Sequence, residues 1–165
     1  MRIVHLCEFS TGICGTWSAV YETAKRQVTK KHDVYVLSSN IERGTGNTAA
    51  AREVIDNIKI LRFPMKFSLS MNYLFWDFEN ELVNLKPDII HAHVYRHWHS
   101  TKAIKIGKRL RVPVILTTHA PFKRKRGMML GALTSMYDLM IGRRLLKRYA
   151  KIIALTKWEQ VYLKK

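Results

Sequence analysis

Five of the seven histidines gather in two stretches: His91, His93, His97 and His99 in one, His119 in the other. Near neutral pH an imidazole can ligate a metal, pass a proton or hydrogen-bond a substrate. His91 and His93 stand two residues apart, so in a strand they share one face. Such a pair could hold zinc, but no convincing carboxylate partner accompanies it, and a buried strand brings only its last histidine, His93, into a crevice. No metal is expected here. His119 directly follows the apolar run Val112-Pro113-Val114-Ile115-Leu116 and two threonines. A histidine just past a strand can donate a hydrogen bond to substrate or stabilise charge; otherwise it is a loop residue satisfied by its neighbours.

A second chemistry is anion binding. Gly12-Ile13-Cys14-Gly15 separates an apolar run from a helical pattern that starts at Thr16. A glycine-containing strand-to-helix turn exposes helix N-terminal amides to a phosphate. The spacing is not G-x-G-x-x-G, Ser38-Ser39-Asn40 supplies no acidic ribose ligand, and the Gly-Lys-Ser/Thr of a P-loop is missing. On glycines alone, a phosphate site and an unliganded tight turn stand even.

The third chemistry is electrostatic. Lys123, Arg124, Lys125 and Arg126 precede a methionine-rich stretch, and Arg143, Arg144, Lys147 and Arg148 follow it. Basic flanks around an apolar helical face are what an interfacial segment offers anionic lipid. The plainer alternative is a crossover helix with solvated ends. Nucleic acid is not expected, because no recognised platform or helix-turn-helix pattern accompanies the basic runs.

The elements that must position these groups alternate along the chain. Apolar runs predict six strands, at 2–9, 33–37, 59–63, 88–94, 112–118 and 151–156. Between them lie helical stripes: Trp17, Val20, Tyr21, Ala24 and Val28; Met71, Leu74, Phe75, Phe78, Leu82 and Leu85; His99, Ala103, Ile106 and Leu110; then a long region over 128–149. The expected fold is α/β, a doubly wound, mostly parallel Rossmann-like sheet with helices on both faces, in a single domain. Ligands in such a fold sit at the carboxyl ends of the strands, where strand order reverses. The histidines and the glycine turn both fall at those ends.

Composition bounds the alternatives. A chain of 165 residues with 47% apolar content builds one packed core and is not disordered. No apolar stretch is long enough to span a membrane, and the start does not read as a signal peptide. Two cysteines, Cys7 and Cys14, make a disulfide scaffold or structural zinc site improbable, so the expected compartment is the cytoplasm. A formal net charge of +17 calls for an anionic partner.

Taken together, the motifs resemble group 1 glycosyltransferases (glycosyltransferase family 4). Cys14-Gly15-Thr16-Trp17 through Lys31-His32-Asp33-Val34-Tyr35-Val36-Leu37 is similar to the family's opening of a Gly-Gly turn, amphipathic helix and Gly-His-Glu-Val strand. Pro87-Asp88-Ile89-Ile90-His91-Ala92-His93 resembles its Pro-Asp-apolar-apolar-His-x-His strand. Val112-Pro113 through His119 resembles its Val-Pro-apolar-Thr-x-His strand, and Ala150 to Thr156 its last strand. Cys14 stands for the first glycine of the pair, Trp17 for a residue that is often polar, and Lys31 for the glycine before histidine.

The resemblance implies two Rossmann-like domains facing across a cleft (the GT-B architecture), with residues 1–165 the N-terminal, acceptor-side one. The second domain, which holds most of the nucleotide-sugar and an acidic Glu-x7-Glu motif, has no counterpart in this sequence. It implies sugar transfer from a nucleotide diphosphate donor, usually with retention and without metal, the nucleotide-sugar being a co-substrate and no cofactor being needed. Under it Gly12, Gly15 and Thr16 form the donor turn, with Gly15 letting amides approach the diphosphate. His93 lines the crevice near the acceptor, and His119 is the catalytic group beside the transferred sugar. The chain alone is expected to be inactive. Its partners would be the missing domain, the donor and a sugar or lipid-linked acceptor, with peripheral contact at an anionic inner membrane face. The competing readings are a non-catalytic basic module that binds membrane or a partner chain, and a metal-dependent hydrolase built on the histidines.

Overall fold

The computed structural model describes residues 1–70, 73–121 and 135–164. Its elements run β1 (Arg2–Leu6), α1 (Gly15–Thr29), β2 (Asp33–Ser39), β3 (Arg52–Ile55), β4 (Ile58–Phe63), β5 (Met65–Ser70), β6 (Tyr73–Trp76), α2 (Glu79–Asn84), β7 (Ile89–His93), α3 (Trp98–Leu110), β8 (Val114–Thr117), a π-helical turn (Asp138–Gly142), α4 (Arg143–Leu146), β9 (Lys151–Ile153) and α5 (Lys157–Lys164). Seven strands form one sheet in the order β3-β4-β2-β1-β7-β8-β9. All neighbours pair in parallel except β3 and β4. This is the doubly wound α/β architecture that the alternation predicted.

Alternate residues of the buried strands feed two cores. Val4 and Leu6 of β1 join Ile90, Ala92, Ala103, Ile106 and Leu116 on the α3 side. Val34, Val36, Ile58 and Ile60 pack with Val20 and Ala24 of α1 on the other. Both sheet faces are covered, which is why the central strands read as near-continuous apolar runs.

The predicted stripes at Trp17–Val28 and His99–Leu110 are α1 and α3. The stripe from Met71 to Leu85 is not one helix. Tyr73–Trp76 is a strand paired antiparallel with β5, and helix begins only at Glu79. The reason lies in the overlap of periods: Leu74, Phe75 and Phe78 fit a helical face, while Leu74, Trp76 and Phe78 fit a two-residue repeat. Leu74 and Trp76 point into the core, while Phe75 stacks on Phe67 at 4.1 Å. Four consecutive bulky residues at 73–76 favour the pleated form.

Strand β3 also went unpredicted. Asp56 and Asn57 both take left-handed backbone angles, φ 49° and 62°, and so make the tight turn of a β3–β4 hairpin. The apolar runs overshot the strand ends: β1 stops at Leu6 rather than Phe9, β8 spans Val114–Thr117, and β9 stops at Ile153. Of the region 128–149, residues 135–146 are helical, with the π-turn inside; the rest of its first half lies outside the described residues.

Candidate functional site

Strand order reverses at β1, which has β2 on one side and β7 on the other. The crevice at a doubly wound sheet's switch point therefore opens beyond Leu6 and His93. Four segments meet there: Cys7–Cys14, Asn40–Arg43, Val94–His97 and Thr118–Pro121.

The loop after β1 is built for close approach. Gly12 sits at φ 75°, and a Cβ on it would lie 2.3 Å from the Arg43 carbonyl oxygen, so no larger residue fits without moving backbone. Behind it the buried Arg62 guanidinium holds Ser10, with Nε on Oγ at 2.8 Å and Nη2 on the carbonyl at 3.1 Å. Arg62 also pairs with Glu53 at 2.6 Å. Gly15 opens α1, and a Cβ there would meet nothing within 4 Å. The N-cap residue Cys14 makes no side-chain cap bond, and the first turn carries no acid, so its orphan amides and positive dipole end favour an anion. Thr16 lies half-buried in that turn. Arg43 reaches the same place, its Nη1 3.1 Å from Cys14 Sγ.

Buried behind the loop, Glu8 accepts the Leu74 amide through Oε1 at 2.5 Å, and its Oε2 lies 2.8 Å from His97 Nδ1. The Tyr73 hydroxyl donates to the Arg96 carbonyl at 2.7 Å. The β5–β6 hairpin is thereby tied to the crevice wall.

Beyond β7 the backbone is strained. Val94 and Arg96 have φ 73° and 68°, a conformation that costs a β-branched residue most. Hydrogen bonds enforce it: Val94 N–H donates to Thr117 O at 2.9 Å, and Ser100 Oγ donates to the Val94 carbonyl at 2.8 Å. Arg96 then makes a bidentate pair with Asp138, 2.8 and 2.6 Å, and donates to Pro121 O at 2.8 Å and Tyr162 Oη at 3.0 Å. One guanidinium thus joins the β7 and β8 loops, the π-turn and α5.

His119 stands at φ 48°, followed by Ala120 at 56°. The buried Glu159 carboxylate holds this turn, accepting the Thr118 hydroxyl at 2.7 Å, the Ala120 amide at 2.8 Å and the Leu155 amide at 2.9 Å. His119 is half-buried, and burial lowers its pKa while Glu159 opposes that shift. Its Nε2 lies 3.0 Å from His93 Nδ1.

His93 leads inward. Its Nε2 is 3.0 Å from His5 Nδ1, and His5 Nε2 is 2.7 Å from Gln27 Oε1. His91 stacks on His93 with ring centroids 4.2 Å apart and bonds Thr117 Oγ1 at 2.8 Å. As the two-residue period predicted, His91 and His93 share a face. The ring nitrogens of His5, His91 and His93 lie within 4.8 Å of one another, close enough to converge on a metal. Yet both nitrogens of His5 and of His93 already have protein partners, as does Nε2 of His91. The cluster is a hydrogen-bonded network first.

The family model for glycosyltransferase family 4 matches residues 13–165. The chain belongs to glycosyltransferase family 4. Among solved structures, one described as trehalose-6-phosphate from E. coli bound with UDP-2-fluoro glucose matches with a TM-score of 0.59 and 14% identity. That match covers 99% of this chain and 42% of the other, so this family 4 chain spans less than half the length of that structure. A homoserine dehydrogenase from S. aureus matches at TM-score 0.37 and 13% identity, over 94% of this chain and 32% of that one. No curated protein matches.

Of the site residues expected from sequence, the family 4 domain brings Gly12, Gly15, Thr16 and His119 to the carboxyl end of the sheet; His93 ends its strand there but is buried beneath His119 rather than lining the crevice, because its ring nitrogens are taken by His5 and His119. Arg143, Arg144, Lys147 and Arg148 are exposed on and after α4. Lys123, Arg124, Lys125 and Arg126 lie outside the described residues. Sequence reasoning passed over Glu8, Arg62, Asp138 and Glu159. Glu8 and Arg62 carried a signal, each being a charged residue inside an apolar run. Asp138 and Glu159 carried none, because their partners lie far along the chain.

Proposed function

We propose that this chain is the acceptor-side half of a nucleotide-sugar-dependent glycosyltransferase of GT-B architecture, acting with retention and needing a second domain for turnover. What carries the reading is His119, fixed in a left-handed turn at the switch-point crevice of a family 4 domain. The nucleoside diphosphate leaving group develops negative charge as the sugar departs, and stabilising that charge is the main catalytic demand. The uncapped first turn of α1, with Arg43 beside it, supplies amides and a cation toward a phosphate. Gly15 lets that backbone approach, and Thr16 adds a hydroxyl. His119 contacts the transferred sugar or its acceptor, while the buried His93 holds it from beneath. No cofactor is required, the nucleotide-sugar being consumed.

One domain supplies one wall. Reacting atoms must be held near attack distance for an intramolecular-like rate, and a single wall leaves the donor free to tumble. The full-length protein should release nucleoside diphosphate from a nucleotide-sugar when an acceptor is added, and the 165-residue chain should not. Turnover by the isolated chain, or none by the full-length protein across a panel of uridine, guanosine and adenosine diphosphate sugars, would sink the proposal.

A second property concerns the surface. Met136, Leu139, Met140 and Ile141 are exposed on the helical segment that runs into Arg143, Arg144, Lys147 and Arg148. Apolar side chains beside a basic cluster suit an anionic membrane carrying a lipid-linked acceptor. Among the described residues no helix is long and apolar enough to cross a membrane.

A further inference from the structure

We propose that Gln27, His5 and His93 form a polarised hydrogen-bond chain that fixes His119 as its Nε2–H tautomer and leaves Nδ1 as the nitrogen offered to a ligand. The chain begins with a group that can only accept. Gln27 Oε1, on the last turns of α1, lies 2.7 Å from His5 Nε2, so that nitrogen carries the proton. In a neutral imidazole the other nitrogen is then bare. His5 Nδ1 therefore accepts from His93 Nε2–H across 3.0 Å, and His93 Nδ1 accepts from His119 Nε2–H across 3.0 Å. Each donor assignment forces the next.

Two features keep the chain in one state. His5 and His93 are almost wholly buried, where a charged imidazole is costly and a fully satisfied neutral network is not. His93 is also clamped: His99 Nε2 bonds its carbonyl at 2.7 Å, and His91 stacks on its ring. A change at Gln27 therefore has no rotamer slack to absorb it before it reaches the crevice.

The chemical consequence rests on the glycosyl-transfer reading. With Nε2–H committed to His93, neutral His119 meets a ligand as an acceptor, and the partner it fits is a hydroxyl, as on a sugar. This revises the sequence expectation that His119 donates. Gln27, His5 and His93 are positioning residues in this scheme, acting through His119.

The test reads protonation sites directly and needs no substrate. In full-length protein labelled with 15N at histidine, long-range 15N–1H spectra at neutral pH should show His5, His93 and His119 each as a single Nε2–H tautomer. Gln27→Leu, which removes the acceptor, should abolish the single tautomer at His119, and Gln27→Glu, which keeps it, should restore it. An Nδ1–H form at any of the three in the wild type would overturn the chain; the amide turned the other way would produce that reversal at all three. An unchanged His119 spectrum in folded Gln27→Leu would overturn the role of Gln27. If that variant does not fold, the wild-type spectrum decides alone. Failure of sugar transfer would leave these spectra untouched, so the two readings fail separately.

Discussion

Glu159 takes the Ala120 amide at 2.8 Å and, with its other oxygen, the Thr118 hydroxyl at 2.7 Å, so one carboxylate brackets His119 on both sides. The bonds span some forty positions of sequence, and they hold two consecutive left-handed residues in place. A carboxylate can accept all three of its donors; an amide offers one acceptor oxygen. Glu159→Gln should therefore lower stability by about 2 kcal/mol, the range of a lost charge-assisted bond with its unpaired donor. For a domain of this size that is roughly 4–8 °C in Tm. Turnover of the full-length protein should fall with it, because His119 loses its fixed orientation. A variant with wild-type Tm would show that the bracket contributes nothing.

His119→Ala should separate the two effects. Removing it leaves His93 Nδ1 without a donor, a cost of about 1 kcal/mol or slightly more. The loss in rate should be far larger, about 10² or more, the usual effect of removing a positioned imidazole that accepts from a reacting hydroxyl. Thermal melts beside kcat will tell. A large drop in Tm with an unchanged rate would make His119 structural.

Low pH should unfold the domain through its histidines. Burial brings His5 down to about 4, His99 to about 3 and His91 to about 2, and holds His93 well below the ordinary range. Among the described residues the groups facing His5 and His93 are Gln27, His91, His99 and His119, with no carboxylate in direct contact to offset the burial. The unfolded chain takes up protons near pH 6.5 that the native state refuses. Stability from these residues is thus whole above that value and is lost as pH falls toward the native values, His5 alone accounting for about 3 kcal/mol by pH 4. Urea midpoints should be flat above about pH 7 and fall between 6.5 and 5, before carboxylates bind many protons. A flat midpoint down to pH 5 would mean that the histidines are not neutral in the way the network requires.

The glycine turn allows a cleaner dissection. At Gly12 both the left-handed angle and the 2.3 Å clash with Arg43 oppose a side chain, so Gly12→Ala should destabilise by about 1–2 kcal/mol or more. Gly15→Ala meets open space and gains helix propensity, so stability should hold or rise slightly. If donor phosphates approach this backbone, the same methyl should raise KM for the nucleotide-sugar several-fold. Equal donor affinity in Gly15→Ala would place the diphosphate elsewhere.

What the sequence made legible followed from period and from position. The Arg2–Leu6 and Ile89–His93 strands and the Trp17–Val28 helix face were readable because burial on one or two faces writes itself as spacing. The placement of His93 and His119 at strand ends was readable because a strand's end is visible locally; that His93 is buried beneath His119 was not. The pairing of Met65–Ser70 with Tyr73–Trp76 was hidden, since 74, 75 and 78 fit a helical face while 74, 76 and 78 fit a strand, and the packing of Phe75 on Phe67 belongs to the strand. Gln27 was invisible as part of a site. It lies on the polar-looking end of an amphipathic helix, and nothing local reveals that His5 reaches it from the neighbouring strand. Long-range pairing of polar groups carries no sequence period, so Glu159 and Asp138 were missed for the same reason.

The exposed helical face and its basic end carry the last prediction. Leu139 and Met140 are 63% and 60% exposed, and Met136 and Ile141 are exposed beside them, an apolar cluster that water alone does not favour. Arg143, Arg144, Lys147 and Arg148 follow within two turns and are exposed. Each cation near an anionic bilayer contributes about 1 kcal/mol, so the four together supply roughly 4 kcal/mol, about a thousandfold in partitioning. Inserted methionine, leucine and isoleucine side chains add to this while the long basic side chains reach toward headgroups. Replacing the four cations by Gln should abolish co-sedimentation with vesicles rich in phosphatidylglycerol at low salt, and leave Tm nearly unchanged because the substituted groups are at the surface. Leu139→Ser with Met140→Ser should weaken binding at every salt concentration, whereas raising ionic strength should release mainly the electrostatic part. Wild-type binding that is equal on neutral and anionic vesicles, or absent from both, would make this segment a solvated crossover helix.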